Sequence, residues 1–141
     1  MKKGFTLLEA VLSLTILSMI VYLASTSFLN LVPKFKLEKA VWEICSSLNL
    51  ARYQAQFKGT SLRVRFYSTS YALEKYDESR KSWKLQEKHF LEGVTVEANN
   101  APIFTPEGSV SGLATIYIYN SRGKYKITLA ITGRIKSARV N

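Results

Sequence analysis

The sequence has a single cysteine, Cys45, and a single histidine, His89. No intramolecular disulfide can form, and a metal site built from cysteine and histidine together is excluded. The same scarcity argues against a cysteine–histidine nucleophilic pair. Cys45, between Ile44 and Ser46 in a helical pattern, reads as a small packing residue. His89, beside Phe90, reads as strand packing or surface. A glycine loop that could cradle phosphate is missing. The stretch Gly108-Ser109-Val110-Ser111-Gly112 has the outline of a serine-hydrolase elbow, but valine stands where the nucleophile belongs, so it reads as a flexible loop. Acids are scarce too: 10 Asp and Glu stand against 20 Lys and Arg, a formal charge of +10. Three of the acids, Glu74, Asp77 and Glu78, lie among lysines and read as a solvated face. No catalytic constellation, metal site or cofactor motif emerges, and the expectation is a protein that is not an enzyme and needs no cofactor. The positive balance favours polyanions, whether nucleic acid, anionic lipid headgroups or acidic proteins, and serves solubility equally well.

What the sequence has in quantity is apolar residues at its start, MKKGFTLLEAVLSLTILSMIVYLASTSFLNLV. No charge occurs from Ala10 to Pro33, a stretch longer than the roughly 20 residues that a bilayer helix needs. Lys2 and Lys3 precede it, which keeps the N-terminus cytoplasmic and sends the remainder outside. A cleaved secretory signal fits poorly, because the run continues past Ala24-Ser25 through Phe28, Leu29, Leu31 and Val32. A plain single-pass anchor fits the length but leaves Glu9 without a reason. A carboxylate at a membrane is costly unless it finds a partner, so Glu9 is a functional candidate.

The stretch Gly4-Phe5-Thr6-Leu7-Leu8-Glu9 resembles the class III prepilin signal of type IV pilins and type II secretion pseudopilins. The resemblance implies a leader of residues 1–4 and cutting between Gly4 and Phe5 by a membrane-embedded prepilin peptidase. The new amine of Phe5 would be methylated. The apolar segment, residues 5–32, would be kept as a transmembrane and assembly helix. Glu9 would become the fifth residue of the mature chain and pair with the amino terminus of a neighbouring subunit. Opposite charges attract strongly in low dielectric, and pairing offsets the desolvation of both.

The remaining residues, 33–141, read as one extracytoplasmic domain. Leu37, Val41, Ile44, Leu48, Ala51 and Ala55 recur at three- and four-residue steps, the stripe of an amphipathic helix. Glu38, Glu43, Asn49 and Arg52 are expected to face away from it. Gly59 is the expected C-terminal cap, and Pro33 is expected to kink or soften a helix running from about Thr6 to about Phe57. Beyond Gly59 the period becomes two. Strands are expected over 61–67, 71–76, 83–90, 93–97, 114–119, 124–131 and 133–140, with loops at 99–102 and 105–108 and a hairpin turn at Asn120-Ser121-Arg122-Gly123. The fold class is therefore α+β: a long N-terminal helix on a small antiparallel β-sandwich. The order Ile103-Phe104-Thr105-Pro106-Glu107-Gly108, the Ile116-Tyr117-Ile118 strand, Lys126-Ile127-Thr128-Leu129 and Gly133-Arg134-Ile135 resembles the H-type minor pseudopilin domain, which includes FimT-like minor pilins.

After Glu107 there is no acid, while Arg122, Lys124, Lys126, Arg134, Lys136 and Arg139 follow. Some FimT-like minor pilins capture DNA through a glycine-arginine-any-arginine motif, and the matching residues here are Gly133, Arg134, Ile135 and Lys136. Lysine lacks the two-pronged grip of arginine on phosphate, and Arg139 stands near enough in sequence to compensate. Tyr117, Tyr119 and Tyr125 could stack on bases, although cross-strand packing is the commoner use of strand tyrosines. The expectation is a non-enzymatic minor subunit of a type II secretion or type IV pilus filament in the inner membrane. Its partners would be prepilin peptidase and other pilins or pseudopilins. The alternatives are a DNA-binding minor pilin of natural transformation, with Arg134, Lys136 and Arg139 as its contacts, and a membrane-anchored periplasmic protein that joins no filament.

Overall fold

The computed structural model describes residues 6–140, the side chains of 24–30 excepted. The chain divides into two compact units, Met1–Val32 and Pro33–Asn141. One helix, α1, runs Leu7–Lys58 and contains Pro33. Nine strands follow: β1 Leu62–Tyr67, β2 Ser70–Asp77, β3 Ser82–Phe90, β4 Thr95–Ala98, β5 Ile103–Phe104, β6 Val110–Ser111, β7 Thr115–Asn120, β8 Gly123–Leu129 and β9 Ile135–Val140. They form a five-stranded sheet ordered β3-β2-β1-β5-β6 and a four-stranded sheet ordered β4-β7-β8-β9. All pairings are antiparallel. The fold is α+β, as the sequence implies.

The helical stripe does what its spacing requires. Leu37, Val41, Ile44, Leu48, Ala51 and Ala55 are all buried. They form one core with Leu62 and Val64 of β1, Tyr71 of β2, Phe104 of β5, and Ile116, Ile118 and Ile127 of the four-stranded sheet. The longer of those strands give alternate residues to the core, as the two-residue period of a strand dictates. The helix ends where glycine permits it. Gly59 has φ +61°, and Thr60 N–H donates to the Ala55 carbonyl at 3.2 Å, the long closing bond of a Schellman cap.

Four local expectations need correction. Gly108–Gly112 is not a free loop: Val110 is buried, pairs with Phe104, and donates its N–H to Ile131 O at 3.0 Å. A two-residue strand is too short to carry a period. Strand β8 stops at Leu129, because Gly133 N–H donates to Ala130 O and makes a turn. Glu74 is no solvated acid. It is buried on the outer side of the five-stranded sheet, bonded by Arg63 Nε at 2.6 Å and approached by Arg65 at 3.8 Å. Arg63 and Glu74 stand opposite each other in register, so strand pairing brings together charges eleven residues apart. Glu43 and Arg52, finally, do not face away from the domain. Glu43 Oε1 accepts from the Tyr71 hydroxyl at 3.3 Å, and Arg52 Nε is buried.

Candidate functional site

Gly4 and Phe5, the expected cleavage pair, lie outside the described residues. Glu9 lies in the first turn of α1 and is exposed. Its N–H donates to Thr6 Oγ1 at 3.3 Å, so Thr6 caps the helix and Glu9 occupies the third helical position. Threonine followed three residues later by glutamate is the spacing of a capping box, and an acid there is favoured by the positive end of the helix dipole. Glu9 therefore has a local reason to stand in the first turn, a signal legible in the sequence beside the one used above. The hydroxyls further along are spent internally: Ser13 Oγ donates to Glu9 O at 2.8 Å and Thr15 Oγ1 to Val11 O at 2.7 Å. Helical hydroxyls bonded in this way present little polarity outward. Around them the described large apolar side chains, from Leu7 to Leu23, are exposed. Among the described residues no helix is long and apolar enough to cross a membrane. The charge-free run behind that expectation includes 24–30, whose side chains lie outside the description.

In the second unit, α1 leaves another apolar set uncovered. Phe35, Trp42, Tyr53 and Phe57 are exposed, Trp42 and Phe57 at 75% and 77%, and the rings of Tyr53 and Phe57 stack at 5.9 Å. These are the aromatic residues that the inward stripe does not use.

The basic residues of the C-terminal part do not gather as the sequence order suggests. Lys136 of β9 stands opposite Thr128, while Lys126 and Lys124 of β8 stand opposite Ala138 and Val140. These three lysines share the outward face of the four-stranded sheet. Arg139 stands opposite Tyr125 on the other face, three residues from Lys136 and hence of opposite side-chain direction. Its Nη2 donates to Arg122 O at 3.4 Å. Arg134 is exposed and precedes β9, its carbonyl accepting from Ala130 N–H at 2.9 Å. The structure thus joins Lys136 to Lys124 and Lys126 rather than to Arg139. Tyr117 and Tyr119 share that face. Lys124 Nζ lies 4.3 Å from the Tyr117 ring centre and 5.6 Å from that of Tyr119. The Tyr119 hydroxyl donates to Glu97 at 2.7 Å, which holds its pKa above the ordinary 10.0. Tyr125 is half-buried against the core.

No family model matches the chain, and no curated protein matches it. Solved structures do. One is the minor pseudopilin EpsH from the type 2 secretion system of Vibrio cholerae, with TM-score 0.63 and 14% identity over 74% of this chain and 97% of that one. Another is the type IV minor pilin FimU of Pseudomonas aeruginosa, with TM-score 0.60 and 17% identity over 74% of this chain and 90% of that one. The fold is that of a minor pseudopilin.

Within this pseudopilin fold, Gly133 has a structural reason of its own. It is buried with φ +79°, and a Cβ there would come within 2.7 Å of the Arg52 guanidinium carbon. Arg52 Nη1 reaches Gly133 O at 3.4 Å. The glycine that opens the basic tail is thus the seat of a helix arginine. Sequence reading missed Arg52 because its partner is a backbone carbonyl 81 positions away. The two scarce residue types are both absorbed by packing. The His89 ring stacks on Tyr71 at 5.0 Å with Glu87 3.2 Å away. The Cys45 thiol packs half-buried against the core, and burial pushes its pKa up, which favours the unreactive thiol over the thiolate. Among the described residues no group of three or more acids, histidines or cysteines is placed to hold a metal ion.

Proposed function

We propose that this chain is a minor subunit of a pilin-like filament, of the type II secretion or type IV pilus kind, acting by assembly rather than by catalysis. The observation that carries this reading is the uncovered apolar surface of α1, from Leu7 through Leu23 and again at Phe35, Trp42, Tyr53 and Phe57. A soluble monomer rarely exposes that much contiguous apolar surface. A filament core or a bilayer would cover it. The prepilin-like stretch Gly4–Glu9 supports the same reading, and so does the fold shared with EpsH and FimU. On this view residues 1–4 are a leader removed by prepilin peptidase, Phe5 becomes a methylated N-terminus, and residues 5–32 anchor the protein singly in the inner membrane before assembly. Residues 33–141 form the extracytoplasmic domain, and protein secretion is the favoured use of the filament.

Glu9 then pairs with the amino terminus of a neighbouring subunit. Mass spectrometry of protein taken from its native membrane should find a chain that begins at Phe5 and carries one methyl group; an intact leader would refute the processing. Glu9→Leu should abolish cross-linking to neighbouring subunits while leaving membrane insertion intact. A protein that is only an anchor would be indifferent to the change.

A second reading, a DNA-binding minor pilin, is favoured by the three lysines on one face of the four-stranded sheet. A row of cations on one face releases counterions when phosphates bind, so affinity must fall steeply with salt. The Lys124→Ala/Lys126→Ala/Lys136→Ala variant should lose that salt dependence in fluorescence anisotropy with duplex DNA. Equal binding by the variant would end this reading.

A further inference from the structure

A cavity of about 750 Å³ lies where the end of α1 meets the β2–β3 hairpin. Gln54 and Lys58 of α1, Thr60, Lys75 of β2, and Lys84 and Gln86 of β3 line it. Lys75 and Lys84 are directly opposed across the two strands. Two ammonium groups in that position repel each other and disfavour the pairing. The opposition is a product of irregular pairing. The register shifts at Leu73/Glu74, where Glu87 pairs with Leu73 and Leu85 with Glu74, so Gln86 is the extra residue. Regular pairing would have set Lys75 against Leu85. Bulges of this sort re-aim side chains, and they are common beside functional sites.

The lysines are unengaged. Among the described residues neither Lys58, Lys75 nor Lys84 forms an ion pair. Acids also line the cavity, and two of them have partners of their own while keeping their charge. Asp77 accepts from the N–H groups of Ser79 and Arg80 at 3.0 and 3.3 Å, and Glu87 faces His89. With Glu78 these carboxylates equal the three lysines in number, and what sets the lysines apart is that Lys75 and Lys84 are held side by side across the strands without an ion pair. Thr60 adds an independent sign, since its Oγ1 is buried and has no hydrogen-bond partner. Such groups in native structures call for a missing partner. The volume lies in the range of small-molecule sites, roughly 300–1,000 Å³.

We propose that this cavity binds a small polyanion bearing two or more oxyanion groups, carboxylate or phosphate. Lys75 and Lys84 grip it from the hairpin, while Lys58 and the Thr60 hydroxyl meet it from the end of α1. The test is amide NMR of the full chain in nonionic detergent, titrated separately with citrate and with pyrophosphate. The expected result is a saturable shift centred on Gly59, Thr60, Lys75 and Lys84 with at least one probe, and the responding probe assigns the ligand as carboxylate or phosphate. Lys75→Gln/Lys84→Gln should weaken the response roughly tenfold or more, by loss of two charge contacts. It removes a repulsion, so it is expected to fold. Lys126→Gln, on the other sheet, should leave the response unchanged. Three outcomes overturn the proposal: no saturation with either probe, equal binding by the double variant, or shifts centred on Lys124, Lys126 and Lys136.

Discussion

The outer faces of the two sheets use the same residue types to opposite ends. On the five-stranded sheet the arginines turn to an internal partner, while Lys88 lies over the rings of Tyr67 and Phe90. Arg63 and Arg65 converge on buried Glu74, and the Arg63 guanidinium lies 4.3 Å from the centre of the Trp83 ring, which in turn meets Tyr76 edge-on. On the four-stranded sheet, Lys124 stands over Tyr117 and Tyr119, Lys126 and Lys136 share its face, and the neighbouring acid, Glu97, is taken by Tyr119. A formal charge of +10 is therefore not spread evenly in its consequences. One face spends arginine on internal order, where the rigid, planar fork suits a buried partner. The other presents lysine, strongly hydrated and on a flexible stem, to whatever approaches.

The contrast can be broken most forcefully at Glu74. Glu74→Ala leaves Arg63 enclosed without a counter-charge and should cost about 3–5 kcal/mol in chemical denaturation. A loss below that of an ordinary surface change would mean that Arg63 turns outward to water. Next in size is Gly133→Ala, which forces a side chain into a left-handed backbone position and against Arg52. It should cost about 1–3 kcal/mol. Pairing it with Arg52→Ala should recover part of that cost. The smallest effect belongs to the lysines on the outward face of the four-stranded sheet. Lys124→Ala, Lys126→Ala and Lys136→Ala should each change stability by no more than about 0.5 kcal/mol.

Alkaline titration sharpens the same comparison between an inner and an outer tyrosine. Tyr71 is held above its ordinary 10.0 first by burial, and Tyr119 first by its bond to Glu97. A raised phenol favours the folded state fully below pH 10.0, and that contribution is lost as the pH climbs through the folded value. Glu97→Gln should return Tyr119 toward 10.0 in tyrosinate absorbance and leave Tyr71 where it was.

Much of this arrangement was legible in advance. The stripe from Leu37 to Ala55, the Gly59 cap and the hairpin at Asn120–Gly123 follow from local periods and from glycine's freedom at positive φ. The α+β class follows from the change of period after Gly59. Other features were misread for a shared reason. Glu74, Arg52 and Arg139 were placed by their neighbours in sequence, as a solvated acid, an outward arginine and a member of the basic tail. Each is governed instead by a partner brought in by pairing or packing: Arg63 across a strand, Gly133 at the far end of the chain, and Tyr125 in register opposite. The odd spacing of Lys136 and Arg139 could have been read from the strand period, since such residues cannot share a face.

The sequence by itself determined the helix and the longer strands, because helix, strand and cap depend on residues within a few positions of one another. It also determined the prepilin-like start, which is a local pattern, and the excess of positive charge, which is a sum. Only the tertiary structure decided which charges are enclosed and which are free. Enclosure depends on register and on a single extra residue in β3, and neither register nor a bulge is written in any one segment. The physical reason is that strand partners are chosen by long-range pairing, where a shift of one residue exchanges every inward side chain for an outward one.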